Sequence, residues 1–200
     1  MRTIDPVKHQ AKRQHIVFSA AELFATRGFD GTTTAEICRA AGVSSGNLFH
    51  YFSSKREIFA ALFEDAGDET ADRIAAANAA DNPWAGLTDL VQHLAAPAVE
   101  PHVPNLVLEA MLQAFRDPDF ANLLGENAAN EEGAIQELLT KASGTGHIDP
   151  TLDPKQAAKW VMALISALFL STAFDDDFDP AEQLPMLRLI LERFLRPSAA

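Results

Sequence analysis

Residues 32–52 read TTTAEICRAAGVSSGNLFHYF, from Thr32 to Phe52, two short helical patterns folded about Gly42-Val43-Ser44. The first, Thr34 to Ala41, places Ile37, Ala40 and Ala41 at helical spacing. Gly42 supplies its C-terminal stop, because a residue without Cβ takes the left-handed conformation at little cost. Val43 fills the angle between the helices, and Ser44 is a suitable N-cap for the second. Leu48 and Phe52 then recur at i and i+4 on a buried side, which leaves Ser45, Asn47 and His50 pointing outward. This is the pattern of a helix-turn-helix whose second helix carries polar contacts into the major groove of DNA.

Helical periods continue on both sides of the motif, so the chain is expected to be all-α with about nine helices. An initial helix is predicted from about Ala11 to Arg27, burying Ile16, Ala20, Leu23 and Phe24 and ending at Gly28. After the motif, Ser54 and Glu57 have capping-box spacing. They open a long helix to about Ala79, with Ile58, Phe59, Leu62 and Phe63 buried. Asp81-Asn82-Pro83 breaks it. A helix from Trp84 to Ala95 follows, then a break at Pro97, Pro101 and Pro104. Leu106–Arg116 is apolar on several faces (Leu108, Met111, Leu112, Phe115), as a buried helix would be. Asp117-Pro118-Asp119 starts a helix reaching about Ala142. The last two helices, Pro154–Ala173 and Pro180–Leu195, follow a loop at 144–154 and are separated by the acidic turn Asp175-Asp176-Asp177.

A chain of 200 residues with 48% apolar content can bury one or two cores. No run of 18 apolar residues occurs, so Trp160–Phe174 reads as a buried helix and no membrane partner is expected. The N-terminal MRTIDPVKHQAKRQ has no apolar signal core. The single cysteine, Cys38, reads as a small buried apolar group in a reducing compartment. A cytoplasmic location is expected. The net charge of −12 argues against nucleic acid until the chain is divided. Residues 1–60 hold eight Lys or Arg against five Asp or Glu, while 61–200 hold eight against twenty-three. Positive charge is therefore concentrated beside the motif. The excess of +3 is small, so nonspecific DNA affinity should be modest.

The stretch AAELFATRGFDGTTTAEICRAAGVSSGNLFHYFSSKREIFAAL, Ala20 to Leu62, resembles the N-terminal domain of the tetracycline-repressor (TetR) family of bacterial transcription regulators. It carries A-x-x-L-F-x-x-x-G-F, then T-T-x-x-x-I-x-x-x-A-G-V-S, then G-x-L-F-x-Y-F-x-S-K. LVLEAMLQAFRDPDF is a weaker match to the junction of the sixth and seventh helices in many members. The resemblance implies a homodimer that binds a pseudo-palindromic operator in double-stranded DNA. It further implies a C-terminal domain enclosing a small-molecule effector, whose binding alters the spacing of the two DNA-reading heads. The expected division is a DNA-binding domain at 1–56 and a ligand-binding and dimerisation domain at 57–200.

Within the motif, Thr33 and Thr34 start the first helix, one as its cap and Thr33 also as a phosphate contact. Ser44 is read first as a cap. Ser45 and Asn47 face outward, and Asn suits bidentate pairing with adenine. Gly46 costs about 1 kcal/mol of helix propensity against alanine and suits close approach to the DNA backbone. Phe49 stands where the family usually has a phosphate-bonding tyrosine, and Ser45 where it is often basic, so two usual anchors are missing. His50 and Tyr51 flank that gap, and Lys55 is the best candidate phosphate anchor.

Enzymatic readings find little support. His93, His102 and His147 are scattered without metal-type spacing, no phosphate loop or GxSxG elbow occurs, and Asp175, Asp177 and Asp179 lack the glycine and glutamate of a calcium loop. No metal or cofactor is expected. Candidate effector contacts are Trp84, His93, Met111, Phe115, Trp160, Met162 and Phe169, an apolar set that favours a hydrophobic ligand. The apolar faces of Ala157–Phe174 and Leu184–Phe194 suit a four-helix interface across a two-fold axis. The expected function is a ligand-released repressor. The alternative is an all-helical ligand-binding or catalytic protein without sequence-specific DNA affinity.

Overall fold

The computed structural model describes residues 6–196, which form helices with no strand among them. In order they are α1 (Pro6–Gly31), α2 (Thr34–Ala40), α3 (Ser45–Tyr51), α4 (Lys55–Asn78) and α5 (Pro83–Ala95). A 3-10 turn at Ala96–Val99 follows, then α6 (Val103–Ala114), α7 (Pro118–Ser143), α8 (Pro154–Phe174) and α9 (Pro180–Leu195). The chain divides into two compact units, residues 1–66 with 105–123, and residues 67–104 with 124–200.

In the first unit, α1 packs on α2 and α2 on α3. Ile16, Ala20, Phe24, Ile37, Leu48 and Ile58 are fully buried, with Phe52 at 1%. Their aromatic members extend into a cluster in which Phe24 and Phe59 lie 5.0 Å apart and Phe59 and Phe120 lie 5.1 Å apart. Gly28 interrupts α1 rather than ending it: its φ is +71°, and the helix resumes to Gly31. A side chain there would be strained by that φ and would also stand 3.2 Å from the Glu109 carboxylate.

In the second unit, α8 packs against α5 and α9, and the 3-10 turn touches all three. Gly86 lets α5 approach the α4 backbone, since a Cβ there would meet the Ala77 carbonyl oxygen at 2.5 Å. By length and composition α8 is the one described helix able to cross a membrane. It instead buries Ala157, Ala158, Val161, Ile165, Leu168 and Phe169 in the protein. Both final helices start on aspartate caps, Asp153 and Asp179, followed by Pro154 and Pro180 at their first positions.

Several side chains expected in the core are outside it. Ala40 is exposed and Cys38 half-buried, Leu112 is 46% exposed, and Phe115 is 91% exposed. The all-round apolar pattern of residues 106–116 hid which face of α6 is covered. That face carries Ala110 and Gln113, both nearly buried.

Candidate nucleic-acid interface

The two short helices of the motif hold together through their caps. Seven-residue helices do not persist alone in water, so satisfied termini decide whether they form. Thr33 caps α2 in a full capping box: its hydroxyl accepts from the Glu36 N–H, and its own N–H donates to the Glu36 carboxylate at 2.9 Å. The Thr33 hydroxyl reaches the same carboxylate at 2.7 Å, and these bonds hold the Glu36 carboxyl below the usual range. Arg27 pairs with the other Glu36 oxygen. Ser44 caps α3 through the Asn47 N–H, and Gly42 between the helices has a φ of +61°. The His15 Nε2–H donates to the Ala41 carbonyl at 3.0 Å, tying α1 to the end of α2; the tautomer follows because a carbonyl only accepts.

On α3, Leu48 is buried, while Ser45, Gly46, Phe49 and His50 are exposed and Asn47 and Tyr51 half-buried. Phe49 presents half of its surface to water and has no hydroxyl to offer a phosphate. Thr33, Thr34 and Ser44 lie at the helix starts, Thr33 and Ser44 with their hydroxyls committed to capping. Lys55 has an internal task that its sequence context concealed. Its Nζ donates to the carbonyls of Phe29 at 2.6 Å and Thr32 at 2.7 Å and lies 4.2 Å from the Phe29 ring centroid. Two of three N–H groups are therefore spent on the end of α1, and one remains for a phosphate.

One neighbour of the recognition helix went unread in the sequence. His9, in the first turns of α1, lies 4.6 Å from the Tyr51 ring and 5.9 Å from His50, and His50 and Tyr51 are 5.2 Å apart. The polar start of α1 has no apolar period to mark it as helix, so nothing in sequence brought His9 to α3. The rest of the first unit braces this surface from residues far along the chain. The Phe29 N–H donates to Glu109 at 3.0 Å, and Gln113 donates to the same carboxylate at 2.8 Å. Arg56 clamps Asp117 and Asp119, which holds the Asp117 carboxyl down at about 2.

The seven candidate effector contacts are divided between the two units. Met111 and Phe115 fall in the first unit and the other five in the second. Phe115 and Trp160 face outward, Trp160 with 63% of its surface exposed, because each sits on the opposite side of its helix from the packed face. His93 bonds Thr70 at 3.4 Å, Met162 is half-buried, and Phe169 is nearly buried. Trp84 borders a sizeable cavity, about 420 Å³ between α5 and α9, floored by Leu87, Ala95, Leu187, Leu191 and Leu195. Arg196 lies over the Trp84 ring at 4.9 Å. A second, narrow cavity of about 30 Å³ is walled by Thr70, Asn127, Asn130 and Glu131, and burial lifts the Glu131 carboxyl to about 7.

Comparison with known proteins agrees with this layout. Residues 16–62 match the family profile described as bacterial regulatory proteins, tetR family, and residues 84–196 match that of the BetI-type transcriptional repressor, C-terminal. AcnR, an HTH-type transcriptional repressor of Corynebacterium diphtheriae, is 29% identical over 148 residues, 74% of each chain. A TetR transcription regulator from Haloarcula marismortui superposes with a TM-score of 0.80 at 17% identity, covering 94% of this chain and 100% of that one. FadR of Bacillus subtilis, in complex with stearoyl-CoA, superposes with a TM-score of 0.74 at 19% identity, covering 90% and 98%.

Proposed function

This chain belongs to the tetR family of bacterial regulatory proteins, and from that premise we propose that it is a cytoplasmic repressor, dimeric on a pseudo-palindromic operator and released by a small hydrophobic effector. The observation that carries the proposal is the doubly capped pair α2–α3, whose second helix carries exposed Ser45 and His50 with half-buried Asn47. Asn47 is the base-reading side chain in this proposal, because its amide can pair with both exposed groups of an adenine edge. Thr34, Gly46 and the helix N-termini serve the backbone. Lys55 contributes its one remaining N–H while holding the end of α1.

The second unit, roughly residues 67 onward excepting 105–123, is proposed to take the effector and to form the dimer. Apolar surface at Trp160, Phe174, Met186, Leu189 and Ile190 supports a helix-to-helix interface through α8 and α9. The Trp84 cavity between α5 and α9 has the size of a ligand site and an apolar floor, which supports an effector with a long apolar part. Stearoyl-CoA, the ligand of the B. subtilis FadR complex, is a suitable first probe. A true effector raises the melting temperature through mass action and weakens the DNA complex.

The test is selection of duplexes from a random-sequence pool by the wild-type protein, followed by retardation assays on the selected duplex. Asn47→Ala is expected to lose about 1–3 kcal/mol of preference for that duplex while keeping its affinity for unrelated DNA. A pool that yields no enriched sequence would overturn the reading. Lys55→Ala is a poor test, because it removes two bonds that hold the first helix as well as a phosphate donor.

A further inference from the structure

The recognition helix meets α1 at a cluster of three rings, His9, His50 and Tyr51, with all centroids within 5.9 Å of one another. His50 is exposed and His9 half-buried. The charged groups on the packed elements are these: on α2, Glu36 is held by Thr33 and Arg27, and Arg39 is exposed. On α1, Lys8 adjoins His9, and Lys12 follows it by three residues on the same side. Arg13 lies over the Phe52 ring and is held by Glu64 and Asp65 of α4. Also on α4, Glu57 accepts from the Ser53 N–H and hydroxyl, and Lys55 is bound to carbonyls. On α3 itself, Tyr51 is the neighbour. Among the described residues no carboxylate stands within ion-pair distance of His9 or His50. Two imidazoles thus converge on the DNA-reading side without a carboxylate partner among the described residues.

We propose that His9 and His50, steadied by the Tyr51 ring, form a proton-dependent site for a DNA backbone phosphate. The proposal rests on the DNA-binding reading given above. Neutral imidazole offers one N–H donor, whereas the protonated ring offers two and a charge. Protonating both rings without an anion sets like charges side by side, which is unfavourable. A phosphate between them removes that repulsion, so DNA binding raises proton affinity and proton uptake raises DNA affinity, the two being reciprocal. The site adjoins Phe49, which has no hydroxyl to offer a phosphate, and lies on the same helix as Ser45, which carries no positive charge. It also recruits a residue outside the helix-turn-helix, His9, into the DNA interface.

The experiment measures binding of the selected duplex from pH 5.5 to 8.5 at fixed ionic strength. Each proton taken up on binding steepens the pH dependence by up to about tenfold per pH unit, so the wild-type is expected to bind at least about tenfold more tightly at pH 6 than at pH 8. His9→Gln and His50→Gln should each flatten the profile and the double variant should abolish it, while His147→Gln leaves it unchanged. His9→Arg, permanently charged, should bind at pH 8 more nearly as the wild-type does at pH 6. In proton NMR the C2–H resonances of His9 and His50 should titrate at higher pH once the duplex is added. A wild-type profile flat in pH, or a double variant that keeps the slope, overturns the proposal while leaving the DNA-binding reading intact. Absence of duplex binding at every pH overturns both. Should the double variant fail to fold, His9→Arg and the NMR titration still decide.

Discussion

Glu131 lies in the wall of a narrow cavity beside Thr70, Asn127 and Asn130, and burial raises its carboxyl to about 7. The ordinary value of 4.5 describes the unfolded chain. Below pH 4.5 the group is protonated in both states and has no effect on folding. Between 4.5 and about 7 the unfolded chain releases its proton while the folded protein keeps it, so stability falls as pH rises. Above 7 both states are ionised, and the desolvation cost persists in full. Glu131→Gln removes that titration and keeps an amide of the same shape. The variant should therefore exceed the wild-type by about 1–3 kcal/mol at pH 8 and match it near pH 4.5. Urea denaturation at the two pH values measures the difference, and equal stabilities at pH 8 would contradict it. In sequence, Glu131 is one of two adjacent glutamates in a polar helical stretch, and only its neighbours in space distinguish it.

Among the elements, α3 depends strongly on its ends, because seven residues provide too few internal hydrogen bonds to hold a helix. Leu48 buried beneath it and the Ser44 cap supply what propensity does not, the more so since Gly46 weakens the helix. Ser44→Ala should cost about 1 kcal/mol. It should weaken binding to specific and nonspecific DNA alike, since it loosens the whole reading helix rather than one base contact. Thermal melts and paired retardation assays would separate this from the selective loss expected for Asn47→Ala. Local signals of this kind are also what made the elements legible. Pro, Gly and capping residues placed α5, α8 and α9 nearly to the residue, and the Gly42 turn placed α2 and α3. What local signals do not carry is the partner of each face. Gly28 reads as a stop, yet α1 resumes beyond it because the Phe29 N–H is taken by Glu109. Lys55 reads as a free cation, yet it is spent on carbonyls twenty-three and twenty-six residues earlier. Met111 and Phe115 read as pocket residues because an all-round apolar helix gives no phase. His9 was invisible for the converse reason, lying in a polar helical start with no period at all.

For the molecule as a whole, the decisive surface is the apolar one on the final two helices. Met186, Leu189 and Ile190 occupy one face of α9 at i, i+3 and i+4 and are 37–50% exposed, while Trp160 and Phe174 of α8 are 63% and 73% exposed. An 18-residue window of α8 has a mean hydropathy of 1.6, yet only 28% of that window is buried. Water-facing apolar area of this extent is uncommon on a monomer, and a second copy related by a two-fold axis would cover both helices at once. The charge distribution points the same way. The reading end has a small positive excess, so a single head holds DNA weakly, and joining two heads multiplies affinity by about 10²–10⁴ through effective concentration alone. Leu189→Asp with Ile190→Asp places two carboxylates on this face without entering the core. The double variant should sediment as a monomer with unchanged helicity, and its melting temperature should no longer rise with protein concentration as a dimer's does. Its affinity for the selected duplex should fall by at least about a hundredfold, while nonspecific binding per head is retained. If the variant remains dimeric, the interface lies elsewhere, and the exposed face of α8 and α9 needs another partner.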